Sequence, residues 1–270
     1  MKTIILHIHF DHAQDDRLAV AIDVARVHGG HICCVQTTSL DNSVILDPMC
    51  GVYPLPGLTE AVAKRAADER HRIEACLQSE GVSWDWKELR GDTAGDLVAC
   101  ASLADLIVLS REAHANDSLP GPAQIVSDVA VHARAPVLVV APGVGQFRSE
   151  APIVVAWNGS IEAANSLRLT LPMLRTASSI HLVEVAEDSV GFPATEACRY
   201  LSRHGIAVEL HSRPHGDHSI AHTLLDAAAE FEASCLVMGA YGHSRLREMV
   251  LGGVTRELLA ETTISLLLAH

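Results

Sequence analysis

The densest chemistry in the 270-residue chain lies at 238–255, where Met238 and Gly239 close an apolar run and Gly242, Gly252, Gly253, Val254 and Thr255 follow. Glycines let backbone amides approach phosphate oxygens closely, and amides that open a helix add the positive end of its dipole. Thr255 adds a hydroxyl to the same stretch. A second constellation is HIHFDH at residues 7–12. His7 and His9 stand two apart on a strand and share a face, so that with Asp11 and His12 they form a candidate metal-ligand set. Other signatures fail. The chain has no G-x4-G-K-[ST] phosphate loop, and GHSRL (242–246) lacks the second glycine of a nucleophile elbow. No general base is placed against the glycine loop, which favours a binding or regulatory module over a dedicated enzyme.

The elements that position these residues are written twice. KTIILHIH (2–9) resembles APIVVAWN (151–158), and ICCVQ (32–36) resembles HLVEV (181–185). ADLIVLS (104–110) then matches SCLVMG (234–239), and APVLVV (135–140) matches TISLLL (263–268). The order is the same in both copies, and the first carries an extra turn-rich segment at 37–60. Strands are expected at 3–10, 31–37, 84–89, 105–110 and 136–141, then at 152–157, 179–185, 206–212, 234–239 and 263–269, with helices between them. Apolar runs without polar alternation suit strands buried on both faces, and strand–helix alternation implies a mostly parallel sheet. The expected class is α/β, as two tandem Rossmann-like domains at 1–143 and 150–270, each a five-stranded sheet flanked by helices. In such sheets ligands sit beyond the carboxyl ends of the strands, where strand order reverses.

Charge narrows the partners. Lys and Arg number 20 against 33 Asp and Glu, a net charge of −13. An acidic chain repels phosphate backbones and anionic lipid, so neither nucleic acid nor a membrane surface is an expected partner. No apolar run reaches the ~18 residues of a membrane span. The seven cysteines contain no C-x-x-C, and no export signal precedes the first strand. A reduced cytoplasmic protein is the expectation.

M-G-x2-G-x9-G-G-V-T at 238–255 resembles the nucleotide-binding motif of the universal stress protein family. The resemblance covers both copies, but the motif stands only in the second. It implies ATP binding, with or without Mg, in the C-terminal domain of a stress-response sensor or adaptor. Gly239, Gly242, Gly252, Gly253, Val254 and Thr255 would hold ribose and phosphates. Ala156, Trp157, Asn158 and Val185 would hold the adenine, with Met238 beside them. Two positions depart from the family pattern: Gly253 replaces the usual Ser, and Asn158 replaces the usual Asp, which weakens metal attraction there. In the first copy Ser110, Ala113 and Gln124 replace the glycines, so one nucleotide per chain is expected. The family's pairing through last strands implies an internal pseudo-dimer of 135–140 with 264–269, with further homo-oligomers and a protein partner left open. Two alternatives stand: a slow ATPase on the same loop, and a zinc-dependent hydrolase on HIHFDH. HIHFDH matches the metallo-β-lactamase signature, but its context does not, because only six residues precede it. Zinc is therefore not expected.

Overall fold

Runs such as TIILHI and LIVLS have no solvent-facing alternation, and every residue but the first Thr is buried. A computed structural model describes the chain outside residues 10, 39–43, 48–50, 55–57, 111–121, 142, 144–146, 186–190, 215–217 and 241–252. The first half contains β1 (Thr3–Ile8), α1 (Gln14–His28), β2 (His31–Thr38), β3 (Val44–Asp47) and β4 (Gly51–Pro54). It continues with α2 (Leu58–Glu80), β5 (Ser83–Arg90), α3 (Thr93–Cys100), β6 (Leu106–Ser110), α4 (Pro122–His132) and β7 (Val137–Val140). The second half contains β8 (Ile153–Trp157), α5 (Ile161–Leu174), β9 (Ile180–Val185), α6 (Ala194–Arg203) and β10 (Glu209–Arg213). α7 (Ile220–Glu230), β11 (Cys235–Gly239), α8 (Gly253–Glu261) and β12 (Ser265–Ala269) complete it.

Each half contributes five parallel strands, and both halves use the same spatial order. The two sets are one ten-stranded sheet, β10-β9-β8-β11-β12-β7-β6-β1-β2-β5. The join is antiparallel: Leu266, Leu267 and Leu268 pair with Val139, Leu138 and Val137. This is the contact expected of the two last strands. It removes two apolar edges that would otherwise invite aggregation. The extra segment of the first copy reads as turns, yet it includes the antiparallel hairpin β3–β4, from Val44 opposite Pro54 to Asp47 opposite Gly51. Val44, Ile45, Val52 and Tyr53 are β-formers, a signal that the surrounding Pro and Gly obscure.

Helices cover both faces. α1, α2, α5 and α6 pack on one face through residues such as Leu18, Ile73, Leu167 and Leu201. α3, α4, α7 and α8 pack on the other through Leu97, Val129, Leu224 and Leu258. Among the described residues no helix is long and apolar enough to cross a membrane.

Candidate functional site

β8 and β11 are neighbours in the sheet, yet their following helices leave toward opposite faces. Strand order reverses between them, which opens a crevice at their carboxyl ends. The walls are local. Ser160 caps α5 by accepting from the Ala163 amide at 3.1 Å, and Asn158 Oδ1 accepts from the Ser160 amide at 3.1 Å. Asn158 is exposed, so its carboxamide nitrogen is the group it can present to a ligand. A side chain at Gly239 would meet the Ala163 amide nitrogen at 2.4 Å, because β11 runs hard against the first turn of α5. Gly159 has φ +73° and packs against Gly191 and Phe192, whose amide donates to Gly159 O at 3.0 Å.

These contacts sort the expected site residues. Ala156, Val185 and Val254 are half-buried on the face that holds Met238, so they converge beside the crevice. Trp157 does not join them. Its ring is buried in the opposite core, and its Nε1 donates to Phe192 O at 2.9 Å, which leaves only backbone for a ligand. Gly253 opens α8 on the exposed surface with free space where a side chain would stand, and Thr255 is buried in the first turn. Gly242 and Gly252 lie outside the described residues. Gly159 and Gly191 escaped sequence reasoning; the N-G-S run at 158–160 was their available signal.

The model of the universal stress protein family matches residues 151–270. Those residues are a universal stress protein domain. The fold likeness spans both halves. A universal stress protein from Archaeoglobus fulgidus aligns with a TM-score of 0.76 at 14% identity, over 99% of this chain and 95% of its own. A functionally unknown protein from Pseudomonas aeruginosa aligns with a TM-score of 0.62 at 16% identity, over 100% of this chain and 92% of its own. Among curated proteins, a 3-phosphoshikimate 1-carboxyvinyltransferase from Paraburkholderia phytofirmans is 38% identical over 68 residues, 25% of this chain. The chain spans 16% of that relative's length.

Among the described residues, the universal stress protein domain has no counterpart of what fills the equivalent crevice in the first half. There Arg17, 1% exposed, reaches the carboxyl ends of β1 and β6. Its Nε donates to His7 O at 3.1 Å, and Nη1 to both Asp11 oxygens at 2.9 and 2.7 Å and to Ser110 Oγ. Nη2 donates to His9 O at 3.3 Å and Gln14 Oε1 at 2.9 Å. Ser110 stands where the universal stress protein domain has Gly239, so a guanidinium takes up the strand ends. The HIHFDH segment is used by the same network. Asp11 is committed to Arg17, and His7 Nε2 lies 3.3 Å from Thr37 Oγ1. Burial, and then the Arg17 charge, holds His7 well below the usual imidazole range, so it stays neutral. Burial also pushes the Cys33, Cys34 and Cys235 thiols up to about 12, far from thiolate reactivity.

Proposed function

We propose that the universal stress protein domain binds one adenine nucleotide, ATP, in the β8–β11 crevice, and that the chain is a nucleotide-responsive sensor or adaptor. The observation that carries this reading is the placement of M-G-x2-G-x9-G-G-V-T. Its first glycine ends β11 at the switch point, and its last residues open α8 at the same end of the sheet. Ala156, Val185, Met238 and Val254 supply an apolar wall for the base, and Asn158 a donor at its rim. Gly253, Val254 and the Thr255 hydroxyl supply phosphate and ribose contacts, aided by Gly242 and Gly252. In a chain of net charge −13, backbone amides and the α8 dipole are the fitting partners for phosphate. Asn158 offers no charge to a magnesium ion, so any Mg rides on the nucleotide phosphates.

Calorimetric titration of the full chain with ATP tests the site. Gly242→Val and Gly252→Val should each abolish binding with an unchanged circular dichroism spectrum. Undiminished affinity in both would overturn the assignment. Phosphate release measured on the same samples separates a sensor, which shows none, from a slow ATPase.

A further inference from the structure

At the other end of the second half, far along the strands from the nucleotide crevice, edge strand β10 brings a different set of ligands against β9. Glu209 lies directly opposite His181 in the parallel register, and His211 follows two residues later on the same face. His181 Nδ1 and His211 Nε2 point at each other across 3.1 Å. Glu209 Oε2 lies 3.7 Å from the first and 3.8 Å from the second. All three ligand atoms fall within 4.8 Å of one another.

The imidazoles are held for this. His181 is buried and stacks on Phe231, at the end of α7, with ring centroids 4.0 Å apart and 4° between planes. His211 leans on the same ring at 4.5 Å. Ser179 Oγ stands 3.0 Å from His181 Nε2; in the tautomer whose Nε2–H donates to that hydroxyl, Nδ1 keeps its lone pair toward His211. An outer partner of this kind orients metal-ligating histidines and sets their tautomer. Arg213, whose guanidinium carbon lies 6.0 Å from the Phe231 ring centroid, is taken up by Glu230 at 2.5 Å. Two donors on a tetrahedral zinc ion lie roughly 3.3–3.5 Å apart, given zinc–ligand distances of ~2.0–2.1 Å. The observed 3.1–3.8 Å brackets that separation, and exposed Glu209 has room to close the difference.

We propose that His181, Glu209 and His211 form a site for one divalent transition-metal ion of the zinc type, with the remaining position open to water. Two imidazoles and a carboxylate suit zinc, copper or nickel and not magnesium or calcium. The ion clamps the outermost strand of the sheet to its neighbour. Among the described residues, a second group with metal-like spacing does not offer the same arrangement: Glu257 sits at His222 Nδ1 and Glu261 at Nε2, on opposite sides of the ring. The site is independent of nucleotide binding.

Full-length protein stripped by a chelator is titrated with Zn(II) against a chromophoric competitor, and with Co(II) as a spectroscopic probe. The expected result is one equivalent whose Co(II) spectrum lacks a thiolate charge-transfer band. His211→Ala should weaken it at least tenfold and Glu209→Gln measurably, while His222→Ala leaves it unchanged. Zinc should also raise the Tm of the wild type and not of His211→Ala. Absence of saturable binding, a thiolate band, or wild-type affinity in His211→Ala would overturn the proposal.

Discussion

Leu138 and Leu267 stand opposite each other at the middle of the antiparallel pair that joins the two halves, and neither is accessible to solvent. Their contact makes one chain internally two-fold, and it buries the strand edges that each half would expose alone. Deleting one of these side chains leaves a cavity in a seam that both halves share. Leu267→Ala should cost about 2–5 kcal/mol in urea unfolding. Residues 150–270 expressed alone should associate through β12. A stable monomer of that fragment by light scattering would contradict the seam.

Arg17 and Asp11 form a buried pair with side chains 1% and 4% exposed. Removing one partner leaves a charge without water or counter-charge, so Arg17→Ala should destabilise by about 3–5 kcal/mol. Chemical denaturation reads the loss directly. A change within experimental error would mean that the network does not hold the strand ends closed.

Mild acid should weaken the fold through its buried histidines. His7 and His28 are both held below 6.5, in each case chiefly by burial, and His28 falls to about 4 beside the amino terminus and Lys2. The unfolded chain therefore takes up protons that the folded chain refuses. Stability is complete above pH 6.5 and declines as pH falls from there towards 4. Urea midpoints across that window should drop less steeply in His28→Gln than in the wild type. Parallel profiles would show that His28 does not contribute to the acid sensitivity.

Most elements were legible because their apolar runs are local. The crevice followed from the repeat and from the reversal of strand order, which need no side-chain detail. Arg17 was not legible. In QDDRLAV it resembles an exposed residue of a first helical turn, and its burial depends on Asp11, Ser110 and two strand carbonyls meeting in space. The part that HIHFDH plays in this network was hidden for the same reason, since Asp11 turns to the arginine. The family resemblance set Trp157 on the adenine side, and alternation along β8 sends its ring to the opposite core, which leaves its backbone for that role. His181 and Glu209 are far apart in sequence, and only strand register brings them together.

Gly239 separates packing from binding. A side chain there enters the α5 backbone at 2.4–2.5 Å, with nothing flexible to move aside. Gly239→Val should lower Tm and nucleotide affinity together, whereas Gly253→Ala, facing open space, should leave Tm nearly unchanged. Thermal melts with and without ATP compare the two. Equal Tm losses would show that the two glycines are not divided in this way.

The two halves are asymmetric at their strand ends: Arg17 fills the first, and the second is left for the proposed nucleotide. Equilibrium titration of the intact chain with ATP counts the sites directly. One saturable equivalent, lost in Gly242→Val and unaffected by Ser110→Gly, is the predicted result. Two equivalent sites, or one that survives Gly242→Val, would contradict it.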